Sequence, residues 1–226
     1  MDFMYVRPTY ISMTDQLGVL PATHAKLFMI LSTIQANKTK PLRLLCTDRI
    51  TKKYPGSFGH LNLGSNLGPV LEELKLAREN SYDDILFLIN GNVTELCDMN
   101  VFVYWENQNG TKELLTPALD GTVLPGVTRD SVIKISKESG VDVIERHISI
   151  REIINALNDK KTVEMFATST MNGITPIQEI YFEDRNYKLP EEFFQDKKST
   201  FTGMINENLL KIKTEEEGHP WITVVE

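Results

Sequence analysis

Two uncharged five-residue runs, Ile85-Leu-Phe-Leu-Ile89 and Val101-Phe-Val-Tyr-Trp105, constrain this chain most. They are too short for helices that cross a core, and they lack the alternation that would leave one face in water, so they predict strands of a buried sheet. Their similar length predicts that they pair. Further strands are predicted at 5–11, 26–34 and 41–46, with Gly18 and Pro21 marking a loop between the first two. Shorter ones are expected at 113–115, 163–166 and 177–182.

Helical spacing alternates irregularly with these runs. Val70, Leu71, Leu74 and Ala77 recur at intervals of three to four, predicting a helix over 69–80. Val132, Ile133 and Ile135 predict another over 129–139, and a terminal helix is expected over 201–213. Ser149-Ile-Arg-Glu152 fits a capping box, with Ser149 accepting from first-turn amides and Glu152 reaching back, ahead of Ile153, Ile154 and Leu157. Asn107-Gln-Asn-Gly110 predicts a turn. The stretch 54–68 holds four glycines and little periodicity, which predicts a loop shaped by backbone demands. Strands and helices mixed without strict alternation predict one α+β domain over 1–226.

A net charge of -7 gives no basic surface for nucleic acid or anionic lipid, and no segment reaches the roughly 18 apolar residues of a membrane span. A cytoplasmic protein with neither partner is expected. Cys46 and Cys97 stand too far apart in sequence for a redox pair and too few for a zinc set, so two free thiols are expected.

The most specific stretch is Leu119-Asp-Gly-Thr-Val-Leu-Pro-Gly-Val-Thr-Arg129, a glycine-containing loop that opens a helix. Exposed amides at a helix N-terminus offer hydrogen-bond donors and partial positive charge to phosphate. The same pattern also describes a capped surface turn that binds nothing.

The residues themselves go further: this stretch resembles the phosphate loop of branched-chain amino-acid aminotransferases, pyridoxal-phosphate (PLP) enzymes of fold type IV. Tyr5-Val-Arg-Pro8, Leu17-Gly-Val19, Met99-Asn-Val-Phe-Val-Tyr-Trp105, Leu115-Thr-Pro-Ala-Leu-Asp120, Val143-Ile-Glu-Arg146 and His219-Pro-Trp221 extend the resemblance over residues 4–226. It implies the larger, C-terminal domain of that fold, a mixed sheet or pseudo-barrel flanked by helices, without the family's smaller N-terminal domain and its phosphate-binding arginine. It also implies a homodimer or association with a related aminotransferase subunit. Gly126, Val127, Thr128 and Thr170 match the family's donors to the cofactor phosphate. Glu95 matches the carboxylate that keeps the pyridine nitrogen protonated; alone, it reads as a solvated acid at a strand end.

The departures fall on the chemistry. Asn62 stands where the family carries its Schiff-base lysine, and an amide is neither nucleophilic nor basic. The nearest lysines, Lys52 and Lys53, are expected to be solvated charges. Leu67 replaces a tyrosine, Asp98 a threonine near the substrate carboxylate, and Met171 a small alanine. Asn172 and Thr175 fill the positions of a cysteine switch. The sequence therefore predicts an inactive relative with no catalytic residue and with weak or absent PLP binding at Glu95, Gly126, Val127, Thr128 and Thr170. A working transaminase and a noncovalent PLP or metabolite binder are the alternatives.

Overall fold

The computed structural model describes residues 2–35, 40–161, 163–195, 199–214 and 218–223. It divides into two compact units, residues 1–38 and 39–226. In the first, β1 (Asp2–Ser12) and β2 (Ala25–Gln35) form an antiparallel hairpin in register from Asp2 opposite Gln35 to Ser12 opposite Ala25. Both predicted strands are present, each longer than its apolar run. The connecting loop is closed by Met13 N–H donating to His24 O at 3.0 Å and Thr23 N–H to Thr14 Oγ1 at 2.9 Å. The polar bridge expected at 35–40 lies mostly outside the described residues.

The second unit contains β3 (Leu42–Thr47), α1 (Leu71–Glu79), β4 (Asp84–Ile89), β5 (Asn92–Val93), β6 (Asn100–Glu106) and β7 (Lys112–Thr116). There follow α2 (Val127–Glu138), β8 (Asp142–Glu145), α3 (Ile150–Asn158), β9 (Val163–Ser169), β10 (Gly173–Phe182), β11 (Arg185–Lys188), the short α4 (Glu192–Gln195) and α5 (Phe201–Thr214). The strands order as β5-β4-β3-β10-β9-β6-β7-β8, with β11 paired on β10. Parallel pairs join β3 to β4, β3 to β10 and β7 to β8, and the other pairs are antiparallel. This mixed sheet flanked by helices is the α+β architecture that the irregular alternation predicts.

The runs 85–89 and 101–105 are buried strands but do not pair with each other: β3, β10 and β9 lie between them. Similar length and apolarity mark two strands as central without saying which are neighbours. Each is buried because the sheet is covered on both faces. Val101, Val103, Trp105, Met165 and Ala167 face the apolar side of α3, while Phe102, Tyr104 and Phe166 face Val132, Ile133 and Ile135 of α2 and Phe201, Ile205 and Leu209 of α5. Here Phe102 stacks on Phe166 at 5.1 Å and Tyr104 on Phe201 at 4.0 Å between ring centres. Contacts of this kind add about 0.5–1.5 kcal/mol to simple burial.

The helix ends show which local signals hold. Ser149 Oγ accepts from the Arg151 amide at 3.3 Å, as half of a capping box would, but Glu152 does not reach back. Its carboxylate instead takes a two-bond grip from the Arg146 guanidinium at 2.5 and 2.9 Å, which outcompetes a neutral amide for the same oxygens. Helix α5 is capped locally by Thr200 Oγ1, which accepts from the Gly203 amide at 3.0 Å, and also from a distant strand. The buried Glu164 carboxylate of β9 accepts from the Phe201 amide at 3.0 Å, the Thr202 amide at 2.9 Å and the Thr202 hydroxyl at 2.8 Å.

Glu164→Ala would leave those donors buried without an acceptor, at about 1–3 kcal/mol for each group. The expected loss is about 3 kcal/mol or more, read as a lower urea midpoint with an unchanged slope. A loss below about 1 kcal/mol would mean that solvent replaces the cap.

Candidate functional site

The β5–β6 connection is fastened to β4: Thr94 N–H donates to Phe87 O at 3.0 Å and Phe87 N–H to Glu95 O at 3.1 Å, while Leu96 N–H closes the turn onto Met99 O at 2.9 Å. This frame holds the Glu95 side chain inside, where the residue is 3% exposed. One carboxylate oxygen, Oε2, accepts from the Leu124 amide at 2.8 Å. The other, Oε1, faces two ammonium groups, Lys53 Nζ at 2.6 Å and Lys52 Nζ at 3.0 Å. Lys52 also donates to Leu96 O at 3.2 Å and to Cys97 O.

This corrects two expectations. Glu95 is not a solvated acid at a strand end, and Lys52 and Lys53 are not solvated charges: their side chains are 6% and 4% exposed. The physical cause is the folding of the glycine loop over them. A Cβ on Gly59 would lie 2.1 Å from Gly121 O and 2.9 Å from Lys53 Cβ, so only glycine lets the loop lie this close to the 119–126 segment. Burial pushes the Lys53 ammonium below its ordinary pKa, and the Glu95 carboxylate opposes that shift. Two cations around one anion also leave the cluster with unbalanced positive charge. Removing the carboxylate would strand both ammoniums, a change that typically costs about 3–5 kcal/mol.

The phosphate-loop candidates stand next to this cluster. Asn100, at the start of β6, donates through Nδ2 to Leu124 O at 2.8 Å. Its Oδ1 lies 2.2 Å from where a Cβ on Gly126 would stand, so a side chain at 126 would have to displace the Asn100 amide. The Gly126 amide bonds back to Leu124 O at 2.8 Å and Gly126 O accepts from Asp130, leaving Val127 and Thr128 in the first turn of α2, whose amides have no acceptor within their own helix. Thr168 sits opposite Asn100 in the β6–β9 ladder, and its hydroxyl is buried without a partner among the described residues. Thr170 follows two residues later on the exposed turn into β10. Glu95 and residues 126–128 thus meet around the start of β6, with Thr170 just beyond it.

The departing residues are dispersed on the rim. Asn62 is exposed and makes no side-chain hydrogen bond among the described residues; its loop is held by Asn66, which donates to Phe58 O and Leu61 O. Leu67 is half-buried, and Asp98 and Met171 are exposed. Asn172 is exposed, whereas Thr175 is buried with a hydroxyl that has no partner among the described residues. Cys46 and Cys97 are free and buried, and burial pushes both thiols well above their usual range, so neither is a ready nucleophile. A separate cavity of about 210 Å³ lies between Asn90, Thr94, Asp120 and His147, and a polar groove of about 610 Å³ runs along Trp105, Glu113, Arg146 and Glu152.

Residues 1–180 match the family model described as amino-transferase class IV, and the chain belongs to that family. Its curated relatives include the branched-chain-amino-acid aminotransferase of Dictyostelium discoideum, 32% identical over 99% of this chain and 60% of that protein. A mitochondrial branched-chain-amino-acid aminotransferase of Schizosaccharomyces pombe is 32% identical over 96% of this chain and 53% of its own length. The chain therefore spans little more than half the length of these relatives. Among solved structures, the branched-chain aminotransferase of Thermoproteus uzoniensis with norvaline superposes with a TM-score of 0.72 at 23% identity, covering 97% of this chain and 68% of that one. The fold is that of the fold-type IV aminotransferases.

PLP, the cofactor that the sequence resemblance implies, fits this site by halves. Amides at the start of α2 and the orphaned Thr168 hydroxyl suit a phosphate. The ring end does not fit, because each oxygen of Glu95 already faces a donor from the chain itself. Sequence reasoning missed Lys52, Lys53, Asn100 and Leu124 as parts of the cluster. Adjacent lysines look alike whether solvated or buried, and a backbone amide leaves no sequence signal.

Gly59→Ala tests the loop contact, because the new methyl would meet a backbone carbonyl that cannot rotate away. The expected cost is about 1–3 kcal/mol of stability, typical of overpacking, measured by urea unfolding. Unchanged stability would show that the 54–68 loop does not rest on residue 121.

Proposed function

We propose that this chain is a catalytically inactive relative of the branched-chain amino-acid aminotransferases, retaining a residual site for the phosphate of PLP at Gly126, Val127, Thr128 and Thr170. One observation supports the reading: the two lysines nearest in sequence to Asn62, which the resemblance matches to the Schiff-base lysine, are committed to Glu95. Without an amine at that position there is neither a covalent anchor for the aldehyde nor a base for the α-proton. Exposed Asp98 and Met171 on the rim, in place of the family's threonine and alanine, further disfavour a substrate carboxylate. Action through protein contacts, as a homodimer or with a related aminotransferase subunit in the cytoplasm, is part of the same reading.

Noncovalent PLP binding is the second reading, favoured by the Thr168 hydroxyl, which has no partner among the described residues and lies opposite Asn100, the residue packed on Gly126 at the start of α2. Charge-assisted phosphate bonds contribute about 1.5–3 kcal/mol each, against an association cost of roughly 4 kcal/mol or more. The net affinity should be weak, on the order of 0.1–1 mM.

Purified protein with added PLP should show no borohydride-reducible aldimine in its absorption spectrum. It should give no transamination of Leu, Ile or Val with 2-oxoglutarate above a host-strain control, and Asn62→Lys alone should not restore it. Turnover by the unmodified chain, or substantial activity from that single substitution, would overturn the proposal. A submicromolar PLP constant measured by calorimetry would establish a dedicated cofactor site in place of a residual one.

A further inference from the structure

Both carboxylate oxygens of Glu95 face the protein's own donors. The carboxylate is enclosed, with the Leu124 amide on Oε2 at 2.8 Å and Lys53 and Lys52 on Oε1 at 2.6 and 3.0 Å. A pyridine nitrogen bonding to this group would need one of those oxygens and space for a flat ring behind it. Lys53 already stands at hydrogen-bonding distance, and the contact between Gly59 and Gly121 closes the loop over it. The three residues come from two separate segments, so the ion cluster also ties the 47–59 loop to the β5–β6 connection, and through Leu124 to the 119–126 segment.

We propose that the Lys53 ammonium, with Lys52 beside it, is a built-in counter-ion that fills the place at Glu95 where a cofactor's pyridine nitrogen would bind. Glu95 then fastens three loops together and does not take a ring. The inference deepens the inactive-relative reading and rests on it. The ligand class that follows is the phosphate group alone: what binds at the α2 N-terminus is recognised by its phosphate, whatever that phosphate carries. A ring therefore adds no affinity.

Calorimetric titration of the unmodified chain with inorganic phosphate and with pyridoxine 5′-phosphate, which has the ring but no aldehyde, tests this directly. Affinities within fivefold of each other, or no binding of either, are the expected result. A preference for pyridoxine 5′-phosphate beyond fivefold that disappears in Glu95→Gln would overturn it. Lys53→Met, which keeps the stem and removes the charge, should raise the affinity for pyridoxine 5′-phosphate at least tenfold and leave that for phosphate unchanged; no gain in a folded variant counts against the proposal.

Thermal unfolding supplies a readout that does not depend on ligand. Glu95→Gln should lower Tm by at least 5 °C, and adding Lys53→Met should recover at least half of the loss, because it removes a stranded cation. A Tm unchanged by Glu95→Gln would overturn the locking role. The outcomes separate from those of the functional reading: Glu95-dependent ring binding without turnover sinks this inference alone, whereas transamination with ring-independent binding sinks the inactive-relative reading alone.

Discussion

A carboxylate held out of water by two ammoniums and an amide is the constraint on which the geometry around the candidate site depends. Glu95 joins segments that no regular ladder connects: the glycine loop, the β5–β6 turn and the run into α2. In energetic terms such clusters frequently do no better than well-packed apolar side chains of the same volume, because desolvation consumes the Coulomb gain. What the cluster adds is a unique arrangement. Apolar replacements would tolerate several loop paths, while the paired charges accept only those that bring both lysines to one oxygen.

The sheet holds the fold without help from the residues that the sequence resemblance marks as departures from the family. Its buried apolar clusters lie beneath α3, beneath α2 and α5, and beside α1, and of the residues so marked only Thr175 is buried. Asn62, Asp98 and Met171 occupy exposed loops and turns, where a side chain of another chemistry would leave packing intact. Site and scaffold are thus nearly independent here, and the branched-chain aminotransferase relatives share the scaffold whatever the chemistry of this chain.

Much of the scaffold was legible in the sequence because its signals are local. Helical spacing located α1, α2 and α5 to within about two residues, and Ser149 marked the start of α3. The pairing of strands was not legible. The runs 85–89 and 101–105 carry no mark of the three strands between them, and β8 and β11, short and largely exposed, have too little apolar patterning to stand out. At the site, the glycine-containing loop was readable as a loop that opens a helix, while Glu95 was marked only by the sequence resemblance. The burial of Lys52 and Lys53 was not, because it depends on a backbone contact between Gly59 and Gly121, more than sixty positions apart, and on no property of the lysines themselves. The Glu152 half of the capping box failed for a similar reason, since Arg146 reached the carboxylate from the preceding segment.

The pairing of β3 with β10 sets the order in which the second unit can assemble. These strands lie in the middle of the sheet, and Arg43 and Glu179, which bridge them, are 136 residues apart. On a ribosome adding roughly 5–20 residues per second, β3 waits on the order of ten seconds before its parallel partner has been made. During that interval β3 has only β4 beside it, itself flanked by β5, and the edge later covered by β10 is open to any extended segment, including one from a neighbouring nascent chain. The central seam of this sheet thus closes late, after the strands on both of its sides have been made, and the stage of synthesis before that closure is the one most exposed to misassembly.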